Sequence, residues 1–234
     1  IESFYQFYCS ANDKIIAHFH EWMTGTGILH LEDTVPQIAT VFTTHATVLG
    51  RCLAGNNFPL YSNMNSYNPQ ECANRFGVQS KFSLEYLSAV TADAFTTVSQ
   101  ITNTECEAFF GKKVDAITIN GFENSFVPQD ADYEKKRKIA RHKLIAVAQA
   151  LTQQKIDDNA LLIINSGRYE FKNKGIDIFI DALGRLNSEN VGRELVAFVA
   201  APAGTTGCRA DLLNRMEVDE KSMPVLGDYA THRL

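Results

Sequence analysis

Ser166-Gly167-Arg168-Tyr169-Glu170-Phe171-Lys172-Asn173-Lys174-Gly175 links an apolar run, Leu161 to Asn165, to a stretch from Ile176 to Leu186 with helical periodicity. The run reads as a buried strand and the stretch as an amphipathic helix. Strand, polar loop and helix in that order form the repeating unit of a parallel α/β sheet. Arg168 and Lys174 stand on a loop that opens a helix. Backbone N–H groups and the positive helix end favour phosphate oxygens there, and Arg adds a bidentate fork. The combination suits a diphosphate. A surface loop with solvated cations is the competing reading.

The same alternation recurs along the chain. Strand-like runs lie near Ile15–Phe19, Ala39–Thr43, Ala94–Val98, Val114–Ile119, Leu161–Asn165 and Leu195–Ala200. Helical patterns occupy parts of Ala46–Leu53, Gln70–Ala92, Thr102–Phe110, Tyr133–Thr152, Gly175–Leu186 and Arg209–Met216. This predicts an α/β fold with parallel sheets and right-handed crossovers. Thr102 and Glu105 have capping-box spacing and mark a helix start. Phe122 to Tyr133, with Pro128, Asp130 and Asp132, has linker character and divides the chain into residues 1–127 and 128–234. The basic run from Lys135 to Lys138 reads as the solvated face of a helix.

A chain of 234 residues with 45% hydrophobic content can build two domains. The formal net charge of −5 argues against nucleic acid as a partner. No apolar run is long enough to span a bilayer, so no membrane partner is expected. Ile1-Glu2-Ser3-Phe4-Tyr5 lacks the marks of a signal peptide. Cys9, Cys52, Cys72, Cys106 and Cys208 are scattered, odd in number and without a C-x-x-C pair. Reduced core thiols in a cytoplasmic protein are the expectation.

His18-Phe19-His20-Glu21-Trp22 follows the strand-like Lys14-Ile15-Ile16-Ala17, which puts polar side chains at a strand's carboxyl end, where open α/β sheets bind ligands. With it stand Phe42-Thr43-Thr44-His45-Ala46-Thr47, Phe95-Thr96-Thr97-Val98-Ser99-Gln100-Ile101-Thr102 and the Ser166–Gly175 loop. In this order the four resemble the glycogen synthases of the animal and fungal type, from about Ile15 to Asn187 and weakly to Thr231-His232.

The resemblance implies a GT-B-like fold. Residues 1–127 would form part of an N-terminal Rossmann-like domain, and 128–234 the start of a C-terminal nucleotide-sugar-binding one, both incomplete. It implies a retaining glucosyltransferase that moves glucose from UDP- or ADP-glucose to the non-reducing end of an α-1,4-glucan, without cofactor or metal. A homo-oligomeric parent is compatible with it. Arg168 and Lys174 match the family's diphosphate contacts, with Gly167 between strand and Arg168. His20 matches the histidine beside the donor sugar. Asn120-Gly121 matches a pair near that sugar, although the following Phe122-Glu123 departs from the family's Leu-Asn. The family's Gly-rich loop and paired glutamates have no counterpart here, so the chain is expected to be an internal piece, inactive alone.

Each residue has a second reading. His20 could be a packed strand-end histidine, and Asn120-Gly121 a turn. His45 could line the site or be structural. His18 is expected on the opposite side of its strand from His20 and Trp22 in the core. The competing function is a non-catalytic sugar-nucleotide or glucan-binding domain of the same fold.

Overall fold

The computed structural model describes residues 1–10, 12–189, 191–217 and 226–233. The chain divides into two compact units, Ile1–Phe122 and Glu123–Leu234, a few residues before the boundary read from the sequence.

The first unit opens with helix α1 (Glu2–Tyr8), followed by strand β1 (Ile16–His20), α2 (Thr26–Thr34) and β2 (Ala39–Thr44). Four helices, α3 (Val48–Gly55), α4 (Leu60–Asn63), α5 (Pro69–Arg75) and α6 (Gln79–Thr91), lead to β3 (Ala94–Thr97), α7 (Gln100–Phe110) and β4 (Ala116–Ile117). The strands pair in parallel in the order β1-β2-β3-β4. Register places Phe19 beside Phe42 and Phe42 beside Phe95. All three are buried in one core with Ile28, Leu31, Leu49, Leu53 and Ala89. Each buried Phe of this row is worth ~1.5–3 kcal/mol relative to exposure.

The helical stretch read over parts of Gln70–Ala92 holds two helices, α5 and α6. Gly77 adopts φ 65°, a left-handed conformation that costs glycine little. Val78 N donates to Ala73 O and Gly77 N to Asn74 O, which closes α5 with a Schellman motif. The helix after β3 is capped by Ser99, whose Oγ accepts from Thr102 N. Thr102 is therefore inside the helix, and its supposed capping partner Glu105 serves elsewhere.

In the second unit α8 (Asp130–Thr152) precedes β5 (Leu161–Ser166), α9 (Ile176–Asn187), β6 (Leu195–Ala200), β7 (Gly207–Cys208), α10 (Ala210–Glu217) and β8 (His232–Arg233). β5 and β6 are parallel, from Leu161 opposite Leu195 to Ser166 opposite Ala200, while β7 and β8 pair antiparallel. Ile145 and Ala148 of α8 pack with Ile156 and Ala160 against Leu162, Val196 and Phe198. β5 is only half-buried, since Ile164 is 52% exposed. One strand flanks it and α8 covers one face. The basic start of α8 is exposed, with Lys136 paired to Asp132. Arg209, buried, is held by Asp211 and Asp228 at 2.8 and 2.6 Å. Cys72 and Cys106 are core thiols, whereas Cys208 is exposed, 3.1 Å from His232 Nε2. Among the described residues no helix is long and apolar enough to cross a membrane.

Candidate functional site

The carboxyl ends of β1, β2 and β3 carry a dense polar cluster. β1 alternates, with Ala17 and Phe19 buried and Ile16, His18 and His20 exposed. Side chains two apart on a strand share a face, so His18 lies beside His20, not opposite it, and the expectation is corrected. Their rings are 4.2 Å apart between centroids. His18 Nε2 contacts Thr43 Oγ1 at 2.7 Å, and Thr43 Oγ1 contacts Thr96 Oγ1 at 2.6 Å. His20, the last residue of β1, meets His45 from the turn after β2, with Nδ1 and Nε2 3.1 Å apart. Burial lowers the pKa of His20, the neighbouring His18 and His45 rings lower it further, and Glu21 opposes them. The His20 ring is thus biased toward its neutral form.

Glu21 ends the strand at φ 65° and ψ 160°, a region that is nearly glycine's alone and strains other residues. Hydrogen bonds to β2 and to the turn after it help hold it there. Its N–H donates to Thr43 O at 2.9 Å, and its Oε1 accepts from His45 N at 3.2 Å. Trp22 is partly buried against the core, with Lys81 Nζ 5.5 Å from its ring centre.

Beneath His45 lie two carboxyl groups whose burial the sequence reading missed. Glu85 of α6 accepts from Thr44 Oγ1 and Val48 N, each at 2.9 Å. Glu105 of α7 accepts from Thr47 Oγ1 at 2.6 Å and Tyr61 OH at 3.1 Å. Together they clamp the turn 44–48 that carries His45. Burial is the main cause that pushes Glu85 up to about 8 and also raises Glu105, in each case against the hydrogen bonds. Gly50 makes room for the clamp, because a Cβ there would fall 2.2 Å from Glu105 Oε2. The signal was present in the spacing of Phe82, Glu85 and Ala89, which puts a carboxyl on the buried stripe of α6.

Asn120 and Gly121 lie exposed in the loop after β4. Neither has positive φ, so the pair makes no left-handed Asn-Gly turn.

In the second unit Gly167, Arg168 and Lys174 share the loop between β5 and α9. The Lys174 stem crosses Gly167 so closely that a Cβ there would meet Lys174 Cδ at 3.2 Å. Arg168 Nε pairs with Glu170 Oε1 at 3.0 Å, and Lys172 Nζ with Asp177 Oδ2 at 2.8 Å. The Lys172 hydrogen bond holds Asp177 below the usual carboxylate range. The amides that open α9 are partly engaged, Gly175 N with Lys172 O and Ile176 N with Phe171 O. Any anion here would rely on the Arg168 and Lys174 side chains more than on the helix end. The triplet Asp130-Ala131-Asp132, read from the sequence as linker and not as an Asp-x-Asp motif, does have that spacing; among the described residues no group of three or more His, Cys, Asp or Glu could hold a metal.

The family model for glycogen synthase matches residues 1–223. The chain is 36% identical to glycogen [starch] synthase isoform 2 of Saccharomyces cerevisiae over 81% of this chain and 28% of that protein. It is 32% identical to glycogen [starch] synthase of Neurospora crassa over 91% of this chain and 31% of that protein. Against the Caenorhabditis elegans glycogen [starch] synthase the identity is 34%, over 88% of this chain and 32% of that protein. The chain thus spans about a third or less of the length of these curated relatives. Parallel sheets with intervening helices are those of a partial Rossmann-like domain, and with a family match over most of its length the chain belongs to the glycogen synthase family.

Proposed function

We propose that the protein to which this chain belongs transfers glucose, with retention of configuration, from UDP- or ADP-glucose to the 4-hydroxyl at the non-reducing end of an α-1,4-glucan. In that step the bond from the anomeric carbon to the diphosphate oxygen breaks and a bond to the acceptor oxygen forms. The acceptor's proton passes to the departing diphosphate. Charge grows on the diphosphate as it leaves, so Arg168 and Lys174 stabilise the transition state more than the ground state. His20 is assigned to the donor sugar, where a neutral imidazole can hydrogen-bond a hydroxyl without repelling the positive charge that develops. Asn120 and Gly121 are kept as donor-loop residues on the resemblance alone.

The observation that carries this reading is the family match together with the neutral-biased His20 at the strand end. A non-catalytic binding domain of the same fold would hold the nucleotide sugar without turning it over. The two readings separate when the parent protein is given labelled UDP-glucose or ADP-glucose and glycogen. Incorporation of label into new α-1,4 linkages is the expected result. Nucleotide binding without incorporation from either donor would overturn the proposal.

A further inference from the structure

The contact between His20 and His45 fixes protons as well as positions. Its nitrogens, His20 Nδ1 and His45 Nε2, are 3.1 Å apart, so a single proton lies between them. A neutral imidazole carries one N–H. If His45 donates from Nε2, His20 accepts at Nδ1 and carries its own proton on Nε2. If His20 donates from Nδ1, its Nε2 is bare and His45 carries its proton on Nδ1. Both rings are therefore protonated at Nε2, or both at Nδ1. A neutral alkylimidazole intrinsically favours the Nε2–H form.

We propose that His45 is a positioning residue for His20: by donating from Nε2 to His20 Nδ1 it fixes the ring and leaves His20 Nε2–H as the donor offered to a ligand hydroxyl. The proposal rests on the reading of His20 as the residue beside the donor sugar. Three features support it. The His45 backbone is tied to Glu21 Oε1. The turn it sits on is clamped from below by Glu85 and Glu105. The charged and titratable groups around His20 are His18 two residues back on its own strand, His45 and Glu21, and a second proton on the pair would set N–H against N–H. This is the arrangement by which ring-orienting partners fix a histidine elsewhere in proteins.

The test reads the tautomer directly. Long-range 1H–15N spectra of the chain with 15N-labelled histidine, assigned by the signals lost in His20→Gln, should show His20 protonated at Nε2. His45→Gln places an amide where Nε2 stood and should keep that tautomer. His45→Asn is polar but one methylene too short, and should leave His20 as a mixture. In the parent protein His45→Asn should lower kcat about 10–100-fold with a smaller change in KM, as loss of an orienting partner does, while His45→Gln retains most of the turnover. A wild-type His20 protonated at Nδ1 overturns the proposal without any variant at position 45. So does an unchanged tautomer in His45→Asn, or an equal loss of kcat in the two substitutions. Normal turnover in a His20→Ala parent would instead remove the catalytic reading of His20, and the spectra would still decide the pairing.

Discussion

Replacing Glu85 by Gln should remove most of the pH dependence of the first unit's stability. Glu85 is fully buried, and burial outweighs its bonds to Val48 N and Thr44 Oγ1 to lift its pKa from an ordinary 4.5 to about 8. Below 4.5 the carboxyl is protonated whether folded or not, so stability is complete. Between 4.5 and about 8 the folded protein keeps a proton that the unfolded chain releases, so stability falls as pH rises; above that window it levels off. At ~1.4 kcal/mol per pH unit the window is worth at most ~5 kcal/mol. Glu85→Gln is neutral at every pH, and its amide can accept from Val48 N–H and donate to Thr44 Oγ1. Trp22 is the only tryptophan and lies in the first unit, so its fluorescence during urea unfolding reports that unit. At pH 5 the two proteins should agree within ~1 kcal/mol, since each pairs with the same two groups, Val48 N–H and the Thr44 hydroxyl. By pH 8 the wild type should have lost several kcal/mol that the variant keeps. Parallel stability curves for the two would refute the assignment of a neutral, proton-holding Glu85.

Gly50→Ala should destabilise the first unit by ~1–3 kcal/mol in the same assay, because the new methyl meets Glu105 Oε2 and Thr47 Oγ1; helix propensity alone forecasts a gain of ~1 kcal/mol. Gly77→Ala should cost about 1 kcal/mol, since φ 65° disfavours a Cβ even though space there is open; unchanged stability would count against the Schellman closure of α5. Arg168→Ala in the parent protein should lower kcat by ~10²–10³, as removal of one preorganised charge stabiliser does. Unchanged turnover would assign Arg168 to its surface pairing with Glu170.

The strands were legible where an apolar run met a turn, and Leu195–Ala200 was read to the residue. β4 was overcalled from Val114–Ile119 because hydrophobicity cannot show that Asp115 Oδ2 takes Phe95 N–H, leaving two residues to the ladder. Gly77 was passed over because the apolar period continues through it, while the chain needs a left-handed residue there. His20 and His45 were both singled out by sequence, yet their contact was not, since it depends on the parallel register that sets His20 beside Thr43. The error over His18 was one of parity, as residues two apart on a strand always share a face. Glu85 was passed over, and Glu105 was read as a capping-box partner, because a carboxyl on a helix is ordinarily solvated. The spacing of Phe82, Glu85 and Ala89 marked a buried face of α6, but the partners of the two carboxyls on the turn 44–48 follow from tertiary packing, which no local pattern spells out. On the loop at Arg168, sequence supplied the cations but not the acids Glu170 and Asp177 that engage Arg168 and Lys172.

The most direct test of the account is the kcat of the parent protein carrying His20→Ala, measured for glucose transfer to glycogen and normalised to folded protein by its melting transition. A sugar contact that strengthens as positive charge develops predicts a large fall in kcat with a smaller change in donor affinity and little loss of melting temperature. A destabilised variant with normal turnover per folded molecule would make His20 a structural residue and contradict the account.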